Sequence, residues 1–369
     1  MPSNSSSTPS SSSSSYDIPD NPIIPIDPIQ ERIEQMTLKE RVYQLFFVMP
    51  EQITGSKNTV VTPLDLSEKP VGGIICMGDN LVSVFQTRNM LSKTQQNAME
   101  SGIGVFFAVD EEGGRVARCA LKLGTTAFEG MAVYGERNDA EEAFNIGKTI
   151  GTDIASLGFN VDFAPVADVD LSPTNELGDR IFSSDPEVTA NMVSGVVRGL
   201  RSSGVCATLK HFPGLGAEDG NTHTATSIII DRTLDQLRRE EFVPFRSGIL
   251  AGAEFVMVGH QHVTAFGDGL PADLSYKAVT EMLRGELGFD GIAITDAQRM
   301  NTISGVYDSG TAAVMSINAG IDMILSPNDL DAAVEGVYNA VLSGKISEER
   351  INESVARILE LKQRMGLLN

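Results

Sequence analysis

Residues 205–223 read Val-Cys-Ala-Thr-Leu-Lys-His-Phe-Pro-Gly-Leu-Gly-Ala-Glu-Asp-Gly-Asn-Thr-His. An apolar run of the kind found in buried strands, 205–209, is followed directly by Lys210 and His211, and a glycine-rich loop then leads to His223. In barrels of parallel strands, the catalytic side chains lie at the carboxyl ends of the strands. The stretch therefore predicts a barrel strand that carries functional groups at its end, followed by a loop that can fold over the barrel mouth.

Seven other short apolar runs resemble this one, and amphipathic helical segments lie between them. The eight predicted strands are 44–48, 71–77, 105–110, 161–166, 205–210, 255–259, 292–296 and 323–326. Helices are predicted over 140–157, 189–202, 234–251 and 276–285, and two more, divided at residues 343–345, over 329–367. Each strand is apolar on both faces, as a parallel strand covered on both sides must be. The alternation predicts an α/β fold, a (β/α)8 TIM-like barrel, and the absence of a Gly-x-Gly-x-x-Gly motif after the first strand disfavours a dinucleotide-binding fold.

The composition is that of an acidic globular protein. Of the 369 residues, 41% are hydrophobic and 21% are charged, and the formal net charge is −21. Nucleic acids and anionic membrane surfaces attract basic proteins, so neither is an expected partner. No apolar run reaches the roughly 18 residues of a membrane span. The cysteines Cys76, Cys119 and Cys206 have neither the even number of a disulfide framework nor the spacing of a metal site.

The chain divides into a leader and a body. Residues 1–28 form a Ser/Pro-rich leader, which we expect to be disordered because it holds too few apolar side chains to fold. Residues 29–369 are expected to form a single catalytic barrel domain. A leader of this composition suits a protein that is exported or tethered to the cell surface, and a cytoplasmic location is the alternative. The oligomeric state is left open.

Charged side chains follow several of the predicted strands. The run 292–295 ends at Asp296, which can either attack an electrophilic carbon above the barrel or cap the next helix. Asp110 ends the third run, and Arg180 can be a fixed donor to a ligand or a surface partner of Asp179 or Asp185. A site at the strand ends that is rich in carboxylates suits a carbohydrate, whereas a site for a phosphate ester would need more cations and a metal. No cofactor and no metal is therefore expected.

The sequence resembles the family 3 glycoside hydrolases, and among them the β-N-acetylglucosaminidase branch. The resemblance extends from about Ile33 to the C-terminus. Its landmarks, in order, are Asp110-Glu111-Glu112-Gly113-Gly114-Arg115-Val116, Gly178-Asp179-Arg180, Lys210-His211-Phe212-Pro213-Gly214, Thr295-Asp296, Asn318-Ala319-Gly320-Ile321-Asp322-Met323 and the helix with Arg357-Ile358-Leu359.

The resemblance implies a retaining exo-β-N-acetylglucosaminidase that acts on peptidoglycan fragments (muropeptides) or chitin-type fragments. Asp296 matches the family's nucleophile, and His223 matches the acid/base of this branch, a histidine on the loop after the fifth strand. His260 matches a strand-end position, where it either contacts the ligand or is a core histidine bonded to the backbone. The positions that match sugar-binding residues are Asp110, Arg118, Arg180, Lys210 and His211.

Two positions depart from the pattern of this branch. Asn221 stands where the branch usually has an aspartate, two residues before the histidine, and Leu215 stands where a histidine is common. An amide raises the basicity of an imidazole less than a carboxylate does, so Glu218 or Asp219 is an alternative partner for His223. Three alternatives stay open: phosphorolysis with phosphate in place of water, another β-glycosidase activity of the family, and an inactive carbohydrate-binding barrel.

Overall fold

A ring of eight parallel strands forms the centre of this computed structural model, within its described residues 1–3, 27–217 and 227–369. The strands are β1 (Phe46–Val48), β2 (Gly73–Ile75), β3 (Phe106–Val109), β4 (Val161–Asp162), β5 (Cys206–Phe212), β6 (Phe255–Val258), β7 (Ile292–Thr295) and β8 (Ile324–Leu325). Each strand pairs with the next, β8 also pairs with β1, and a bridge between Ile294 and Met323 joins β7 to β8. The predicted barrel is confirmed. Most of the predicted leader, residues 4–26, lies outside the described residues.

Aromatic side chains fill the inside of the ring. The ring centroids of Phe47 and Phe163 are 5.2 Å apart, and Phe106 meets Phe255 edge-on at 5.5 Å. All four side chains are completely buried. The barrel is therefore a packed core rather than a pore, and a ligand has to bind at one of its ends.

Helices surround the ring. Within the described residues they are α1 Pro28–Gln35, α2 Leu38–Gln44, α3 Pro50–Thr54, α4 Val84–Met99, α5 Arg118–Leu123, α6 Met131–Gly135, α7 Ala140–Leu157, α8 Pro186–Ser202, α9 Leu234–Arg239, α10 Phe242–Leu250, α11 Asn301–Ser304, α12 Ser309–Ala319, α13 Leu330–Leu342 and α14 Glu348–Arg364. The helix predicted over 276–285 is a π-helix, Lys277–Glu286. Outside the ring, Glu111–Gly113 pairs with Val116–Ala117 and Ile229–Ile230 pairs with His262–Val263. None of the helices in the described ranges is long and apolar enough to cross a membrane.

The helix predicted over 234–251 is in fact two helices, α9 and α10, which meet at residues 240–241. Pro244 explains the break, because a proline inside a continuous helix lacks an N–H and clashes with the carbonyl group four residues earlier. Helix α10 begins two residues before Pro244, which places the proline in a first turn, where no N–H is needed. The break also turns Glu241 inward, with its Oε1 2.8 Å from Nε of Arg232.

Helix α14 closes the end of the ring at which the strands begin. Its residues Ile358 and Leu361 belong to the same buried cluster as the interior of the ring. Lys362 on this helix is fully buried, donates a hydrogen bond of 2.7 Å to Oε1 of Gln44, and lies 5.1 Å from the centre of the Phe106 ring. The charged strand ends lie at the other end of the barrel, and that end is open.

Candidate active site

The carboxyl ends of the strands surround an open cavity of about 910 Å³, including its mouth. Six residues that the sequence singles out line this cavity together: Asp110, Arg118, Arg180, Lys210, His211 and Asp296. Asp110 directly follows β3, Lys210 and His211 lie in β5, and Asp296 directly follows β7. They meet because all the strands of a parallel barrel end at the same mouth.

A buried cluster of charges forms one wall of the cavity. Glu112 accepts two hydrogen bonds from Arg180, at 2.7 and 2.9 Å, and lies 2.6 Å from Nζ of Lys210. Lys210 also donates to Asp110, at 3.0 Å. Burial alone would raise the pKa of Glu112, but the charges of Lys210 and Arg180 lower it to about 2. Burial alone would lower the pKa of Lys210, and the charges of Glu112 and Asp110 raise it instead. Glu112 and Lys210 are therefore both ionised at neutral pH, and the wall offers fixed donors and acceptors.

Arg118 is held at the cavity by the start of helix α5. Its Nη2 lies 3.7 Å from Oδ2 of Asp110. The carboxylate of Glu111 accepts hydrogen bonds from the backbone N–H groups of Cys119 and Ala120, at 2.6 and 2.9 Å. A carboxylate in this place satisfies and stabilises a helix N-terminus. Glu111 therefore positions Arg118, because it fixes the first turn of the helix that begins with this arginine. The sequence alone assigns no role to Glu111.

Asp168 orients the imidazole of His211. Its Oδ2 lies 2.8 Å from Nδ1 of His211 and accepts the backbone N–H of the same residue at 3.1 Å. Its Oδ1 accepts the backbone N–H of Leu215 at 2.7 Å. The peptide bond between Lys210 and His211 is cis. Because Nδ1 is bound to the carboxylate, Nε2 is the nitrogen that His211 has left for a ligand in the cavity.

Asp296 is a half-buried carboxylate on the cavity wall. Its Oδ1 accepts a hydrogen bond of 2.7 Å from the N–H of Ala297. It does not cap the next helix, since the N-cap of α11 is Met300. Burial alone would raise the pKa of Asp296, but the neighbouring imidazoles of His211 and His260 and the hydrogen bond from Ala297 lower it. Asp296 is therefore ionised at neutral pH.

His260 lies behind Asp296 and does not line the cavity. Its side chain has no exposed surface, its Nε2 is 3.1 Å from the carbonyl oxygen of Ala297, and its Nδ1 is 3.1 Å from Oδ1 of Asp273. Burial alone would lower the pKa of His260, but the carboxylates of Asp273 and Asp296 raise it to about 9. Of the two roles predicted for His260, the structure shows the second, a core histidine bonded to the backbone. The charge of His260 stabilises the ionised form of Asp296.

Residues 37–361 match the family model described as the glycosyl hydrolase family 3 N terminal domain. The chain belongs to glycoside hydrolase family 3. The family predicted from the sequence landmarks is therefore confirmed.

Relatives within family 3 differ in length from this chain. Beta-hexosaminidase A of Pseudoalteromonas piscicida is 31% identical over 327 residues, which are 81% of this chain and 54% of that protein. Beta-hexosaminidase of Nitrosomonas eutropha is 31% identical over 323 residues, which are 84% of this chain and 91% of that protein. The solved structure of a family 3 β-N-acetylglucosaminidase from Paenibacillus sp. str. FPU-7 has 37% sequence identity and a TM-score of 0.84, over 90% of this chain and 63% of that one. The chain thus spans about half the length of the first relative and most of the second.

Two predicted residues of the family 3 site, His223 and Asn221, lie outside the described residues. Glu218 and Asp219, the alternative partners of His223, lie outside them as well. The roles of these four residues therefore stay predictions.

Other residues of the site were not assigned from the sequence. Glu112 lies two positions after Asp110, and the alternation of side chains along an extended chain is a signal that could have found it. Ser326 and Arg299 line the wall at β7 and β8. Ser326 is the last residue of the predicted strand 323–326, and Arg299 lies three residues after the predicted strand 292–296. Four methionines also line the cavity, and in the sequence they cannot be told from core residues: Met49, Met77, Met257 and Met300.

Proposed function

We propose that this family 3 chain is a retaining exo-β-N-acetylglucosaminidase that removes terminal β-linked N-acetylglucosamine from small oligosaccharides. One observation carries the proposal. An ionised carboxylate, Asp296 after β7, shares a cavity with a wall of paired charges at β3 and β5. In a closed ring of eight strands β3 lies opposite β7, so a sugar between the two has hydrogen-bonding groups on one side and a nucleophile on the other. The names of the relatives support the same activity.

The charged wall suits the hydroxyl groups of a sugar. Asp110 supplies a carboxylate acceptor, and Lys210, Arg118 and Nε2 of His211 can bond to neighbouring hydroxyl oxygens. The methionines on the other walls suit the apolar face of the sugar and the methyl group of the acetamide, because their side chains adapt to irregular shapes. Sugar pockets commonly combine a few fixed polar groups with apolar walls in this way.

The reaction has two steps in this proposal. A carboxylate oxygen of Asp296 first attacks C1 of the sugar, and the bond from C1 to the glycosidic oxygen breaks while that oxygen takes a proton from His223. His223 then takes a proton from water, the water oxygen attacks C1, and Asp296 leaves as a carboxylate. Each displacement inverts C1, so the two together retain its configuration.

The first prediction concerns Asp296. Asp296→Ala removes the nucleophile and should lower kcat/KM on 4-nitrophenyl N-acetyl-β-D-glucosaminide more than about a thousandfold, while calorimetry still detects binding of N-acetylglucosamine. Asp290 is exposed and precedes the same strand at the closed end of the barrel, so Asp290→Ala is the matched control and should keep wild-type activity. Proton NMR should show the β anomer as the first product. A wild-type protein without turnover, or one that first releases the α anomer, contradicts the proposal.

The second prediction concerns His223 as the acid. His223→Ala should slow cleavage of glycosides with poor leaving groups, such as N,N′-diacetylchitobiose, far more than cleavage of the nitrophenyl glycoside, which needs little protonation. His262→Ala replaces a half-buried histidine whose Nδ1 lies 3.1 Å from the carbonyl oxygen of Gly269, and it should affect both substrates little. Equal losses on the two substrates in His223→Ala would show that another group is the acid.

A further inference from the structure

His260 lies just after β6, and both nitrogens of its imidazole face acceptors. Nε2 is 3.1 Å from the carbonyl oxygen of Ala297, and Nδ1 is 3.1 Å from Oδ1 of Asp273. A carbonyl oxygen cannot donate, so Nε2 carries a hydrogen. The hydrogen between Nδ1 and Asp273 belongs to the imidazole, because a carboxyl group is a stronger acid than an imidazolium. His260 is therefore an imidazolium paired with a carboxylate.

The His260–Asp273 pair is held in one orientation inside the protein. Neither of the two side chains has any exposed surface. Gln298 donates to Oδ2 of Asp273, at 3.4 Å, and to Oγ of Ser316 on α12, at 2.8 Å. The backbone N–H of Asp273 donates to the carbonyl oxygen of Gly259, at 3.2 Å. Because every one of these groups has a fixed partner, the positive and negative ends of the pair keep their places.

Ala297 connects the pair to Asp296, the nucleophile of the proposed function. Its carbonyl oxygen lies at Nε2 of His260, and its N–H donates to Oδ1 of Asp296, at 2.7 Å. Asp273 is bonded to the other ring nitrogen, Nδ1. The positive member of the pair is therefore the one next to Asp296. In a buried place with little water, a fixed charge at this position acts strongly on the carboxylate.

The two steps of the proposed reaction depend on this charge in different ways. In the first step Asp296 is already a carboxylate before it attacks C1, so a nearby positive charge gives that step no advantage. In the second step Asp296 begins as a neutral ester. The bond from its oxygen to C1 breaks as water attacks, and the electron pair returns to the carboxylate. A fixed cation stabilises the negative charge that develops there, and it does so only in this step.

We propose that the buried His260–Asp273 pair acts in the second step, where its positive end stabilises the carboxylate of Asp296 as it leaves C1. The inference rests on the proposed function. His260 does not line the cavity, so it acts through Asp296 and touches no substrate. It transfers no proton, since the proton of the attacking water goes to His223. Without the charge of His260, the glycosyl-enzyme should break down more slowly and accumulate.

His260→Gln and Asp273→Asn test the proposal at the two ends of the pair. On 2,4-dinitrophenyl N-acetyl-β-D-glucosaminide the leaving group departs easily, so the second step limits kcat. We expect kcat of both variants to fall at least about tenfold. The ratio kcat/KM includes no step after release of the phenol and should change less than about threefold, so KM falls with kcat. During turnover of the 4-nitrophenyl glycoside, mass spectrometry of rapidly quenched protein should find a larger fraction of glycosyl-enzyme than in the wild type.

A control variant and a measurement on the wild type complete the test. His262→Gln makes the same substitution two residues further on, at a half-buried histidine whose Nδ1 faces the carbonyl oxygen of Gly269, and should change neither kcat nor kcat/KM. Nitrogen NMR of the wild type at neutral pH should show hydrogens on both ring nitrogens of His260. The chain has four histidines, so variants of the other three assign these signals by elimination.

The outcomes separate this inference from the proposed function. In an active wild type, an unchanged kcat of folded His260→Gln on the dinitrophenyl glycoside, or equal falls in kcat and kcat/KM, overturns the inference alone. A neutral imidazole at His260 in the wild type does the same. If neither variant folds, the NMR result decides, and a doubly protonated ring supports the inference. A wild type that is inactive on both aryl glycosides overturns the proposed function, and this inference with it.

Discussion

Glu112 is the residue on which the charged wall of the cavity depends. It is 4% exposed, and its two oxygens bond both Arg180 and Lys210. Asp110 partners Lys210 as well but has no bond to Arg180 in the described residues. Removal of one partner from a buried ion pair leaves the other charge uncompensated, which costs more than the pair itself contributes. Glu112 therefore supports the stability of the protein as well as the shape of the cavity.

Replacing Glu112 by glutamine keeps the size of the side chain and removes its charge. We expect Glu112→Gln to lower the free energy of unfolding by about 3 kcal/mol, because Arg180 and Lys210 then repel each other. Their movement should also lower kcat/KM on the nitrophenyl glycoside by at least about tenfold. Glu34→Gln, on the exposed side of α1, is the matched control and should change neither quantity. An unchanged midpoint in thermal unfolding of Glu112→Gln would contradict this role.

Single residues could be predicted at the strand ends, whereas their partners could not. Asp110, Lys210 and Asp296 each end an apolar run, and that local signal is enough to place them at the barrel mouth. The sequence allows two roles for Arg180, a donor to a ligand or a partner in a surface ion pair. In the structure its partner is Glu112, 68 residues earlier in the chain. A contact of this kind depends on how the ring closes, which a local pattern does not encode.

Elements were predictable where the sequence marks both of their ends. Helix α7 has the predicted bounds 140–157, since Asp139 accepts the N–H groups of its first turn and Gly158 ends it with a φ of +107°. The break between α9 and α10 was missed because the apolar pattern continues across it, although Pro244 is a visible signal. The hairpin at 111–117 was missed as well, because its two strands are too short to show the alternation of apolar and polar residues that indicates a strand. Its double glycine, with φ of +96° at Gly113 and +55° at Gly114, marks its turn.

The whole molecule is closed by contacts between distant parts of the chain. Strand β8 pairs with β1, and Lys362 bonds Gln44 across 318 residues of sequence. The number of apolar runs predicts how many strands the ring has, but not that a lysine of the last helix enters the closed end. A lysine at helical spacing suggests a solvated face, and here the chain buries it against Gln44 and the Phe106 ring. Stability of the barrel as a whole is therefore linked to one buried amine.

Burial lowers the pKa of Lys362 from 10.5 to about 7. In the unfolded chain the amine keeps its ordinary pKa. Between these two values the unfolded state binds more protons than the folded state, so the contribution of Lys362 to the free energy of unfolding rises with pH. Each pH unit in this interval adds at most about 1.4 kcal/mol. Below about pH 7 the amine is protonated in both states, and its burial costs the folded state the full amount.

Lys362→Met removes the titration and fills most of the same space. Denaturation by guanidinium chloride gives the free energy of unfolding of both proteins at a series of pH values. From about pH 7 to about pH 9.5, the wild type should gain more than about 2 kcal/mol relative to Lys362→Met. Lys93→Met removes an exposed lysine from α4 and should show no such trend. A difference between wild type and Lys362→Met that stays constant with pH would mean that Lys362 keeps its charge in the folded barrel, with the polar group of Gln44 and the face of Phe106 sufficient to hold an ammonium ion there.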